Sequence, residues 1–220
     1  MMPAGLLLAA AAVVVQAAPA TAPVVYKTPN EVFAAAQEAQ KKEDFKAFYE
    51  CLTPDSQKLM TGQVVLTGAM LKGLAALDKT GKAGEAVKAL EVVFKKHGVT
   101  EESLKNIPPA KDAKDAAKTL RSLAALVKDP PTFFGDFITT MNKVNGQKGK
   151  PPFTDATLAE VKVTGDKAAA MIVHKADGKE HKEPAEFQKV GMSWKIVMPE
   201  PKPRPPLPAQ QPPKLPPPKR

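Results

Sequence analysis

Ala168-Ala169-Ala170-Met171-Ile172-Val173-His174, then Asp177-Gly178, then Ala185-Glu186-Phe187-Gln188-Lys189-Val190, Gly191-Met192 and Ser193-Trp194-Lys195-Ile196-Val197: these segments decide the fold. The first is apolar on both faces over a strand's length, which predicts a central β-strand. Asp177-Gly178 is a two-residue hairpin signal, and Ala185 to Val190 reads as the strand it returns into. Gly191-Met192 makes the last turn, and Trp194, Ile196 and Met198 give the final strand its buried face. Upstream, Ala159, Val161 and Val163 alternate with Glu160 and Lys162, a period of two that ends at the Gly165-Asp166 turn. Four strands met in chain order predict an antiparallel meander, whose apolar side the preceding segments must cover.

Those preceding segments are helical. Thr28-Pro29-Asn30-Glu31 is a strong start: Thr28 can cap, Pro29 suits the first helical position, and Glu31 can close a capping box. Val32, Phe33, Ala36 and Ala39/Gln40 mark one face of a helix running to about Lys42. Asp44 caps a second segment with Phe45, Phe48, Tyr49 and Leu52 at i, i+3, i+4 and i+7. Pro54 to about Leu77 is helical again. Gly62, Gly68 and Gly73 each cost about 1 kcal/mol there, which predicts a break or bend. Further helices are expected over Glu85–His97, stopped by Gly98, over Lys111–Lys128, and over Thr132–Val144, with a Gly/Lys/Pro loop from Asn145 to Pro152. The fold class is therefore α+β. Residues 28–198 form one domain, helices over 28–144 and sheet over 157–198.

The ends of the chain differ from its middle. Ala4 to Val15 is apolar but too short to cross a bilayer, which takes about 20 residues. Val15-Gln16-Ala17 and Ala18-Pro19-Ala20 resemble small-x-small cleavage sites. Residues 1–20 thus read as a secretory signal peptide and 21–27 as a linker, with the product periplasmic or extracellular and no transmembrane segment left. No cysteine lies near residue 20, so no lipid anchor is expected. Cys51 is the only cysteine of the 220 residues, which excludes an intrachain disulfide. Residues 199–220 form a Pro-rich basic tail too rich in proline to build a core. It is expected to be a disordered spacer with a polyproline II preference.

The net charge of +9 divides between tail and body. In the tail, Lys202, Arg204, Lys214, Lys219 and Arg220 stand against Glu200, a net of +4 that leaves +5 for the rest. Only Arg121, Arg204 and Arg220 are arginines. Phosphate and base recognition favour arginine's planar fork, so nucleic acid is not the expected partner. An acidic envelope polymer, or a protein that reads the Pro-rich tail, fits the five tail cations better.

Candidate chemistry is sparse. With Asp177-Gly178 as the two turn residues, Ala176 pairs with Lys179, Lys175 with Glu180, and His174 with His181. Two imidazoles opposed across a hairpin, their Cβ atoms about 5 Å apart, suit a transition ion. A structural zinc site takes four ligands, and Glu183 is the best third candidate on that face. His97 beside Gly98 is expected to serve as a cation at a helix C-terminus. Tyr49 is expected to pack or to face a pocket, and Asp136 to be a solvated helix residue. No phosphate loop, Cys/His cluster or serine-nucleophile elbow is present, and no cofactor is implied.

Two stretches resemble nuclear transport factor 2-like domains, in particular the small exported members. Thr28-Pro29-Asn30-Glu31-Val32-Phe33 followed by Glu43-Asp44-Phe45-Lys46-Ala47-Phe48-Tyr49-Glu50-Cys51-Leu52-Thr53-Pro54 is similar to their first helices. Glu186-Phe187-Gln188-Lys189-Val190-Gly191-Met192-Ser193-Trp194-Lys195-Ile196 is similar to their last hairpin. The resemblance implies a cone: a curved sheet wrapped on a long helix, with a cavity between them that Phe48, Tyr49 and Trp194 would line. The chain departs by a helical insertion over roughly residues 60–145, expected to fill or lid that cavity. The superfamily holds isomerases, dehydratases and hydrolases beside many non-catalytic domains, so fold carries little functional information. The expected function is a non-catalytic binding or structural domain of the cell envelope. The alternative is a small-molecule enzyme or carrier that uses the cavity.

Overall fold

The computed structural model describes residues 24–75, 82–108, 112–146, 155–176 and 178–200. Seven helices precede a four-stranded antiparallel sheet: α1 Pro29–Lys41, α2 Phe45–Glu50, α3 Pro54–Ala75, α4 Lys82–Lys96, α5 Glu101–Lys105, α6 Ala113–Ala124 and α7 Pro130–Asn145, then β1 Thr157–Thr164, β2 Lys167–Ala176, β3 Lys179–Val190 and β4 Ser193–Val197. The strand order is β1-β2-β3-β4, the expected α+β meander. No helix among the described residues is long and apolar enough to cross a membrane.

Local chemistry sets most element ends. The Thr28 hydroxyl accepts from Glu31 N at 3.2 Å, while the Glu31 carboxylate reaches one residue further back than a capping box needs, to Lys27 N at 2.7 Å. Asp44 caps α2 through Ala47 N, and Asp129 caps α7 through Thr132 N. Gly191 turns at φ 61° between the paired Val190 and Ser193, and Gly165 at φ 58° between Thr164 and Lys167. Both positions sit in the left-handed region that favours glycine.

Three sequence expectations need correction. First, α3 does not break at its glycines; it is a single helix of 22 residues. A Cβ on Gly62 would overlap the Leu120 backbone carbonyl of α6, and one on Gly68 would overlap the Phe94 ring of α4. These glycines are close-approach points for neighbouring helices, and packing outweighs their propensity cost. Second, β3 begins at Lys179, not Ala185, because its polar half pairs with β2 over the whole hairpin. Pro184 is tolerated inside it because β4 pairs only from Glu186 onward, leaving the other side of β3 open at that point. Third, β1 does not alternate strictly. A bulge between Ala159 and Lys162, with Glu160 at φ 55°, shifts the register. Leu158 and Val161 therefore pack inward, while Val163 is exposed.

Two apolar cores result. Val32, Phe33 and Ala36 of α1 lie on Ala168, Ala170, Ala185, Phe187 and Trp194 of the sheet. The other core is all-helical, built from Val65, Leu90, Leu120, Leu123, Phe133 and Phe137 of α3, α4, α6 and α7. Phe48 packs against both, stacked on Phe134 at 6.3 Å. Arg121, the only arginine among the described residues, forks onto Asp55 with two 2.8 Å bonds and also holds Glu200 at 3.0 Å. That brings α3, α6 and the end of the sheet together.

Gly62→Ala should cost about 2–3 kcal/mol in a urea melt, because backbone on the far side cannot yield. Gly73→Ala, where no atom lies within 4 Å of the added carbon, should gain about 0.5–1 kcal/mol. Equal effects would mean that α3 and α6 do not approach as described.

Candidate functional site

Helix α1 does not seal the sheet. Between its Phe33, Ala36 and Gln40, the Phe48 side chain of α2, and the β3–β4 surface from Glu183 to Met198 lies a cleft of ≈ 280 Å³. Its walls are mainly apolar: Phe33, Phe48, Leu52, Ile172, Phe187 and Ile196. Two polar features interrupt them. Glu183, at the β2–β3 end, is exposed to solvent and is the one titratable side chain in the lining among the described residues. Gln40 is 9% exposed, and its Oε1 is buried with no hydrogen-bond partner among the described residues. A buried carbonyl oxygen left unpaired costs about 1–3 kcal/mol.

Of the three residues expected to line a pocket, Phe48 does so. Tyr49 is turned into the helical core, where its hydroxyl donates to the Gln57 carbonyl at 3.0 Å and meets Thr61 Oγ1 at 2.7 Å. Trp194 is buried beneath α1 in the sheet-side core and does not reach the cleft. The insertion does not fill the cleft either, since α3, α4, α6 and α7 bury their apolar faces on one another. His174 and His181 stand opposite each other in the expected register, as do Lys175 with Glu180 and Ala176 with Lys179. Asp177 lies outside the described residues, as do Lys202, Arg204, Lys214, Lys219 and Arg220 of the tail, the loop 147–154 and the N-terminal 23 residues.

The structure also joins two groups that lie 39 residues apart. His97 is buried, edge-on to Phe133, and its Nε2–H donates to Asp136 Oδ2 at 2.8 Å. Lys96 donates to the same oxygen at 2.7 Å. His97, at the end of α4, is thus buried and bonded to Asp136, and Asp136 is paired rather than simply solvated. Partial burial pushes the Asp136 carboxyl up, but the bonds from His97 and Lys96 outweigh it and hold the carboxyl below its ordinary range. The sequence signal was the helical phase of Asp136, which lies one position before the buried Phe137; no local pattern names its partner. The arrangement ties α4 to α7.

Cys51 is a buried free thiol. Burial pushes it up, opposed only in part by the Tyr26 hydroxyl 3.7 Å away and by Lys195. That makes it a packing residue, poorly nucleophilic. Among the described residues, no group of three or more His, Cys, Asp or Glu side chains is arranged to hold a metal ion.

No family model, curated protein or solved structure matches this chain.

Because Asp136 titrates lower folded than unfolded (about 3.9), its stabilising contribution is complete above about pH 5. It is lost as pH falls through the folded value. Asp136→Asn should therefore cost about 1 kcal/mol at pH 7, and progressively less as the pH falls below about 4, in parallel urea melts. A pH-independent difference would show that the ion pair does not form.

Proposed function

We propose that this chain is an exported, non-catalytic binding domain whose ligand is a small, mainly apolar molecule held between α1 and the sheet. The observation that carries this reading is the Gln40 carboxamide. Gln40 lines the apolar cleft, and its carboxamide oxygen is buried with no hydrogen-bond partner among the described residues; once that carboxamide turns into the cleft, a ligand hydroxyl or amine satisfies it. Sites of this kind combine apolar walls with a few fixed polar groups that set orientation. Catalysis on a cone of this sort needs an acid or base held in an apolar setting. The one acid of the lining, Glu183, is solvent-exposed, which favours binding over reaction.

Export is read from residues 1–20, and the cone from the two stretches similar to nuclear transport factor 2-like domains. The basic tail serves as a spacer and as a contact for an acidic envelope polymer. It starts beside the cleft, since Pro199 lines the opening and Glu200 is tied to Arg121.

The native chain should bind an apolar fluorescent probe that decanol displaces better than decyl methyl ether, which has no donor. In Gln40→Leu the two should become equal, while the protein gains about 1 kcal/mol of stability through loss of the orphan oxygen. If neither compound displaces the probe, the cleft is not a binding site. For the tail, deleting residues 201–220 should leave the melting temperature unchanged and reduce salt-sensitive retention on an acidic matrix. Equal retention would remove the tail from the binding role.

A further inference from the structure

The inner face of the sheet continues past the cleft. Ile172 and Glu183 oppose each other across β2 and β3 and line the cleft's end. Side chains repeat on one face every second residue, so the next opposed pair on this face is His174 and His181. Their rings lie 5.6 Å apart, centre to centre, and within 16° of parallel. His174 Nδ1 is shielded from solvent and has no hydrogen-bond partner among the described residues. A shielded ring nitrogen without a partner calls for an explanation, such as a water or an ion.

We propose that His174 and His181 form a two-imidazole site for a late first-row transition ion, Cu²⁺ ahead of Zn²⁺. The chemistry follows from the donor set. Each neutral imidazole offers one unprotonated nitrogen, a ligand that suits copper, nickel and zinc, with affinity peaking at copper. Directly opposed residues have Cβ atoms about 4.5–5.5 Å apart. Side-chain rotation alone therefore brings one nitrogen of each ring to a shared ion at about 2.0–2.1 Å. Two protein ligands leave the remaining positions to water, which makes the site open and exchangeable, unlike a four-ligand structural zinc. Hard cations such as Mg²⁺ and Ca²⁺ prefer oxygen and gain nothing from this pair. The bound ion bridges β2 to β3 and fixes the hairpin that carries Glu183. This inference is independent of whether the cleft holds a ligand.

The test uses the full chain without a histidine tag, titrated with CuCl₂ and ZnCl₂ by calorimetry, with electron paramagnetic resonance of the Cu²⁺ form. One ion per chain is expected, with hyperfine coupling from two nitrogens and no competition from excess Mg²⁺. Losing an outer-shell partner typically costs 10–100-fold in metal affinity. His174→Ala and His181→Ala should therefore each cost at least about tenfold. The exposed position of residue 181 makes His181→Gln the safer variant for folding. Zn²⁺ should raise the melting temperature of the native chain and not that of His181→Gln. Absence of binding above buffer heat overturns the proposal. So does Cu²⁺ affinity in His181→Gln equal to that of the native chain.

Discussion

The outer edge of β4 is where the two halves of this molecule are joined. A strand edge presents a row of unpaired backbone groups, and here the chain itself covers them. Ile196 N donates to Cys51 O at 2.9 Å, Thr53 N donates to Ile196 O at 2.9 Å, and Trp194 N donates to Tyr26 O at 2.8 Å. Leu52 thereby lies parallel to Ile196 as a single bridge. Cys51 and Leu52 are each 1% exposed, so these bonds are made away from competing water. The Ser193 hydroxyl adds a bond from Tyr26 N at one end, and Ser56 Oγ takes Met198 N at the other. The short link between α2 and α3 therefore behaves almost as a fifth strand.

This seam explains why a cleft survives. It fixes the start of α3 against the end of β4, and the helices from α3 onward then find their apolar partners among themselves. Among the described residues, α1, Phe48, Cys51 and Tyr26 are left to cover the sheet. One helix cannot span four twisted strands, and the uncovered strip runs from Phe187 toward Ile172 and Glu183. An insertion that had packed on the sheet would have closed it.

What could be read from the residues alone was what depends on neighbours in sequence. Caps at Thr28 and Asp44, turns at Gly165 and Gly191, and the buried face of α1 all follow from local chemistry. The hairpin register also follows, because Asp177-Gly178 allows few loop lengths and Lys175 favours Glu180. Contacts between distant segments were not legible. Gly62 looks like a helix fault until the Leu120 carbonyl is placed beside it. His97 reads as a residue at a helix end, and nothing local in sequence shows that α7 brings Asp136 beside it. Tyr49 and Phe48 share an apolar face in sequence, yet Tyr49 is turned into the helical core while Phe48, which also touches that core, reaches the cleft. The bulge at Ala159/Lys162 breaks a pattern that periodicity alone reads as continuous. Gln40 sits in phase with a buried face, and only the packed structure reveals that its oxygen is unpaired.

Native-state hydrogen exchange at three backbone amides, Thr53, Trp194 and Ile196, probes the seam directly. Joined as described, they exchange only through global unfolding, at rates matching the central β2–β3 amides such as that of Ala170. Fast exchange at Thr53 and Ile196 beside a slowly exchanging Ala170 would contradict it: β4 would then be a free edge, with the helical half and the sheet held together by something else.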